Sequence, residues 1–210
     1  ILIQLLNYFA KLNNNNNNQS SIISNDTYSI GNSGIVVSNK SAISGTNVSG
    51  NKLKEDINVI NEFIDSCNDG NISKAYDLIT DECKEEMYPT ENDFYNNYYI
   101  SIFNNTKLDY TVENWVEDTY EVKFLEDILS TGNVNENGNK QDYITVVEQN
   151  DQFKININNY IGRYDINKES NYKNIKSTVI KKDTYMDYEI YTIKIQNNTG
   201  KRILLDTKEK

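Results

Sequence analysis

Between Phe103 and Leu108 the spacing of apolar residues changes from three and four to two. A chain with that switch places helices first and strands after them. On the helical side, Leu53, Ile57, Ile60, Ile64 and Cys67 form one stripe, the signature of an amphipathic helix. Asp69-Gly70-Asn71 ends it and supplies a turn, and Ile72, Ala75 and Ile79 continue as a second short helix. Thr80 reads as a new N-cap, with Asp81 and Glu82 in a first turn where the helix dipole favours acids. Pro89-Thr90 breaks the chain again. Thr90 followed by Asp93 is a capping-box variant, opening a third helix that carries Phe94, Tyr98 and Ile102.

From Lys107 onward the pattern is that of strands. Leu108, Tyr110 and Val112 alternate with polar residues, as do Tyr120, Val122 and Phe124. Residues 130–140 are a polar loop. Ile144 and Val146 then pair with Phe153, Ile155 and Ile157 across a turn at 149–152. Beyond Gly162 the spacing predicts a strand over 175–182 and a clearer one over 188–196, with Tyr191, Ile193 and Ile195 on one face. A turn follows at 197–200, and a third strand is expected from Ile203 to Asp206.

The chain has no histidine among its 210 residues. That excludes Ser-His-Asp and Cys-His catalysis, His-based zinc sites and the usual near-neutral proton shuttle. No phosphate-binding glycine loop, dinucleotide fingerprint or metalloprotease helix is present, so no cofactor, metal or catalytic group is expected. The acids Asp81, Glu82, Glu85 and Glu86 are scattered by helical spacing and read as a solvated helix face rather than a cation loop. Charge is uneven: residues 51–165 carry nine Lys or Arg against 24 Asp or Glu, and residues 166–210 carry ten against six. So acidic a centre repels phosphate backbones, which excludes nucleic acid as a partner there. Cys67 and Cys83 both fall at apolar helix positions, either as two buried thiols or as a disulfide if the protein is outside the cytoplasm. Trp115 falls on the polar face of its strand, exposed for binding or packed at an edge.

Residues 1–12 (ILIQLLNYFAKL) are apolar but shorter than the roughly 20 residues a spanning helix needs. They are read as the remnant of a truncated membrane anchor, the alternative being an ordinary amphipathic helix. Residues 13–52, with six consecutive Asn at 13–18, are expected to be a flexible Asn/Ser/Gly-rich linker. The folded part is expected over 53–162, with a separate β region over 163–210.

The stretches INEFIDSCNDGNISKAYDLIT (60–80), TENDF (90–94), TYEVKFLEDILSTG (119–132) and DYITVVEQNDQFKIN (142–156) resemble the NTF2-like (cystatin-like, SnoaL-like) superfamily. They resemble in particular extracytoplasmic members from AT-rich bacteria. The resemblance implies an α+β cone over 53–162, with three or four helices packed on a curved antiparallel sheet around a pocket. The strands after Gly162 resemble the start of an immunoglobulin-like β-sandwich, although about 45 residues are too few for the whole of one. Some enzymes of the superfamily, such as ketosteroid isomerase, use an Asp base with a Tyr or a protonated Asp. Here Tyr76, Phe94, Tyr98, Tyr110, Tyr120 and Phe124 are the residues expected to line such a pocket, with no Asp–Tyr pair standing out. The expected function is therefore a non-enzymatic scaffold or recognition domain on the outer side of a bacterial cell membrane. Its partners would be envelope proteins, with homodimerisation also admitted. The alternative is a small-molecule-binding or isomerase-like protein using the cone pocket.

Overall fold

A computed structural model of the chain describes residues 27–29, 36–38, 40–45, 48–126 and 140–204. Helix α1 (Gly50–Asn68) is the longest, at 19 residues. Ser49 caps it, and its stripe of Leu53, Ile57, Ile60, Phe63, Ile64 and Cys67 is buried. Asn68 closes it by a pair of 2.9 Å hydrogen bonds to the backbone N–H and C=O of Leu108, the first residue of the strand Leu108–Val116. Asp69-Gly70 then reverses the chain, with Gly70 at φ +70°.

Three short helices follow. In α2 (Ile72–Asp77), Asn71 is the N-cap. Thr80 caps α3 (Asp81–Met87), its hydroxyl accepting from the Cys83 N–H at 3.1 Å. Thr90 caps α4 (Glu91–Phe94) in a reciprocal box with Asp93. The helix continues through a π segment (Tyr95–Tyr99) into α5 (Ile100–Ile102).

Among the described residues nine strands form two sheets. The first has the order β1-β2-β3-β4-β5-β6. Its strands are β1 (Thr27–Ser29), β2 (Val36–Ser38), β3 (Leu108–Val116), β4 (Thr119–Glu126), β5 (Lys140–Gln149) and β6 (Gln152–Asn156). All neighbours are antiparallel except β2 and β3, which run parallel with Val37 opposite Val112. The inward residues of β3–β6 (Tyr110, Val112, Tyr120, Val122, Ile144, Val146, Ile155) meet the apolar stripe of α1 in a single core.

The second sheet has three strands, β7 (Tyr160–Tyr172), β8 (Ile175–Tyr185) and β9 (Glu189–Asn197), all antiparallel. Two-residue turns drive these reversals. Asn150-Asp151 between β5 and β6, and Lys173-Asn174 between β7 and β8, place both central residues at positive φ. That geometry matches the twist of the flanking strands and is tolerated best by Asn, Asp and Gly.

This architecture corrects the expected fold class. The described residues are mostly β, in two sheets, not an NTF2-like cone of helices closing over one. The physical reason lies in the breaks: Gly70 ends α1, the strand-like pairing of Ile79 with Ile155 ends α2, and Pro89 ends α3, so that α2 and α3 run for only one or two turns. The C-terminal strands are likewise not a partial immunoglobulin-like sandwich. They form one sheet, and among the described residues no second sheet lies on it. Strand β7 runs where the spacing predicts no strand, and Ile203 and Leu204 lie outside any strand.

Of the expected segments, residues 1–12 and most of the linker lie outside the described residues. Within 13–52, however, β1 and β2 pair on the edge of the first sheet, and α1 begins at Gly50. No described helix is long and apolar enough to cross a membrane.

Candidate interaction surface

The residues expected to line a pocket lie in or against the interior. Phe94 stacks on Tyr98 at 5.6 Å, and Phe63, Tyr76 and Tyr88 pack around the pair. The Tyr76 hydroxyl donates to the Tyr88 carbonyl at 2.8 Å. Tyr110 donates to Asn61 Oδ1 at 2.9 Å, and Tyr120 to Asp56 Oδ2 at 2.7 Å. Phe124 meets Phe103 edge to face at 5.4 Å. The structure thus brings Tyr76, Phe94 and Tyr98 together and leaves Tyr110, Tyr120 and Phe124 apart; five of the six fill the core, and Tyr76 packs half-buried against it. A cleft of about 340 Å³ lies elsewhere, lined by Lys52, Glu55, Asp118, Val146, Glu148 and Phe153, and it is half open to solvent. Lys52 in it is already engaged by Asp56 and Asp118 at 2.9 and 2.8 Å.

Three buried carboxylates organise the molecule, and sequence reasoning singled out none of them. Each accepts a hydrogen bond from a tyrosine: Asp56 from Tyr120, Asp142 from Tyr98, and Asp183 from Tyr160. Asp142 also accepts from the backbone N–H groups of Asn158 and Asn159, at 2.9 and 3.1 Å. These residues form the elbow between β6 and β7, so Asp142 pins the point where the chain leaves the first sheet for the second. Burial pushes the Asp142 carboxyl above the usual carboxylate range, against the pull of these three donors.

Asp183 fixes the base of the second sheet. It receives Tyr160 at 2.8 Å and Arg163 Nε at 2.7 Å, with Lys181 Nζ at 3.2 Å. Arg163 reaches on to Glu85 and Glu86 of α3 at 2.7 and 3.1 Å, and Lys181 also meets Glu86. Two of the four acids read as a solvated helix face are therefore a clamp on the sheet. Burial works to raise the Asp183 carboxyl, but the hydrogen bonds from Arg163, Tyr160 and Lys181 outweigh it and hold the group below its ordinary range. Rings complete the joint: Tyr160 on Tyr185 at 5.2 Å, and Tyr185 on Tyr188 at 4.4 Å.

Beyond this base the sheet projects into solvent, and its two faces differ. Cross-strand pairing puts Asp165, Lys181 and Thr192 in one row, Glu169, Thr178 and Lys194 in another, and Asn171, Lys176 and Gln196 in a third. That face is polar and continues the clamp. The opposite face carries the rows Tyr164, Lys182, Tyr191; Lys168, Val179, Ile193; Ser170, Ser177, Ile195; and Tyr172, Ile175, Asn197. Its apolar side chains are open to water: Tyr164 is 67% exposed, Tyr172 68%, Tyr191 51%, Ile193 53% and Ile195 41%. The usual arrangement has the apolar face covered and the polar face wet. Here the polar face meets α3 and the apolar face meets nothing among the described residues.

The remaining expected residues are placed simply. Trp115 is half-buried on the outer face of the first sheet, edge to face with Tyr143 at 5.2 Å. Cys67 and Cys83 are buried free thiols. No group of three or more potential metal ligands occurs among the described residues. Compared with protein families, curated proteins and solved structures, the chain matches none.

Proposed function

We propose that this chain is a non-enzymatic recognition or scaffold protein whose projecting β7–β9 sheet binds a protein partner through its apolar face. One observation carries the reading: a contiguous face with Tyr164, Tyr172, Tyr191, Ile193 and Ile195 exposed and Val179 and Ile175 half-buried among them stands on a sheet whose base is locked by Asp142, Asp183 and Arg163. Contiguous exposed apolar surface of this kind marks interaction sites, and tyrosine gives large contact area for little ordering entropy. The aromatic filling of the interior and the polar, open character of the cleft at Lys52 favour a surface role over a pocket role. A place on the outer side of a bacterial membrane, with envelope proteins as partners, fits the polar tract at 13–52 and belongs to the same proposal.

Site-specific photo-crosslinking in the producing cell tests it. A benzophenone amino acid at Tyr191 should capture protein, whereas the same probe at the exposed Glu91 on the body should not. Absence of any protein adduct at position 191, or equal capture at both sites, would overturn the reading.

A further inference from the structure

We infer that the apolar face of β7–β9 is an interface with a second copy of this chain, the two sheets stacked face to face and antiparallel about a two-fold axis. This rests on the recognition reading and names its partner. Size and charge together select that occupant.

Size is the first consideration. Strands lie about 4.8 Å apart and rise about 3.4 Å per residue. Three of them over the nine residues of β9 cover about 430 Å². Two such footprints, with the relief of their side chains, remove on the order of 1,000 Å² from water, the lower bound of specific interfaces. A flat amphipathic sheet is also the shape that stacks on another sheet, with inner side chains interdigitating. A copy of itself supplies such a face with matching dimensions and matching apolar rows.

Charge then sets the direction. The far end of the sheet is basic: Lys173 sits in the β7–β8 turn, Lys201 and Arg202 follow β9, and none of the three makes an ion pair among the described residues. The base is acidic on balance: Asp187 and Glu189 lie there, Glu189 paired to Lys182 at 2.6 Å, beside a body whose residues 51–165 carry 24 acids against nine bases. Antiparallel stacking lays each basic tip over the partner's acidic base. It also puts the two acidic bodies at opposite ends, a strand length of about 30 Å apart and beyond the screening length of about 8 Å. Parallel stacking would set like against like at both ends. An isologous pair of this kind closes on itself and uses up both faces.

Sedimentation velocity of the purified 210-residue chain from 5 to 500 µM tests the inference. The expected result is a monomer–dimer equilibrium in the micromolar range at 50 mM NaCl, weakened about tenfold at 500 mM because the end contacts are electrostatic. Ile193→Asp should leave only monomer, and since Ile193 is exposed the variant keeps its fold, which circular dichroism verifies. Lys201→Glu with Arg202→Glu should mimic high salt without touching the sheet. A chain that stays monomeric at 500 µM, or a dimer that survives Ile193→Asp, overturns the second-copy interface. If the chain is monomeric while the probe at Tyr191 captures a different protein in the cell, the recognition reading stands and only the occupant is wrong.

Discussion

The hydroxyl of Tyr98 donates a 2.7 Å hydrogen bond to Oδ2 of Asp142, and both groups are buried. Tyr98 comes from the π segment and Asp142 from β5, so the bond joins the helical layer to the first sheet. Because Asp142 also holds the Asn158–Asn159 elbow, it sets where the second sheet begins. A carboxylate suits the position because it only accepts, and all three of its neighbours are donors.

Asp142→Asn tests that logic at nearly constant volume. The amide must present an N–H to at least one donor, leaving a buried group unsatisfied at a cost of about 2 kcal/mol. Urea unfolding of the variant should show that loss. Amides at the start of β7 should also exchange faster than those of β4. Unchanged stability would mean that the elbow is held by something else.

Arg163→Met removes the cation that joins Asp183 to Glu85 and Glu86. The side chain of Asp183 stays buried with only Tyr160 and Lys181 to satisfy it. Breaking a buried pair from one side costs several kcal/mol when nothing replaces it, and with those two partners left the loss should be about 2 kcal/mol. The effect should be local, so the β7–β9 sheet loses hydrogen-exchange protection before α1 does. Uniform loss across the molecule would show that the clamp does not define a separate unit.

How far these features were legible depended on whether they carry apolar periodicity. The α1 stripe, the Thr90–Asp93 box and the inward residues of β3 to β6 were readable because burial selects regular spacing. Strand β7 was not. Most of it, from Tyr164 to Tyr172, is exposed, with two register shifts against β8, so no alternation survives in the sequence. Its turn at Lys173-Asn174 is a usable signal, but Asn is so abundant in the chain that a single one carries little weight. Asp142 was within reach, since it shares the inward parity of Ile144 and Val146, where a carboxylate needs partners. The expected cone failed because element order was legible and helix length was not. Several of these helices end where a strand or turn captures the chain, as Thr80 does by donating its N–H to the Ile155 carbonyl.

Cys67 and Cys83 should be chemically silent in the folded protein. Burial pushes the Cys83 thiol up to about 12 and Cys67 in the same direction, so neither forms the reactive thiolate near neutral pH. Ellman's reagent at pH 8 should label neither until urea unfolds the chain, when both react. Rapid stoichiometric labelling of the native protein would contradict their burial.

Acid should erase the advantage of the Arg163 clamp. The folded-state carboxyl of Asp183 lies below its ordinary value, so the stability it contributes is complete above the unfolded value of about 4. It is lost as pH falls from there through the folded value. Asp142 has the opposite sign: its raised folded value favours the native state at low pH, a contribution lost as pH rises through that value. A pH scan of the intact protein therefore superimposes two opposed slopes and isolates neither. The difference between the intact protein and Arg163→Met cancels the Asp142 contribution, because that residue is untouched. Measured by thermal unfolding, the gap should be full at pH 7 and shrink below about pH 4, as Asp183 becomes protonated and Arg163 loses that partner. A gap that stays constant down to pH 2.5 would mean that Arg163 stabilises the sheet by packing alone.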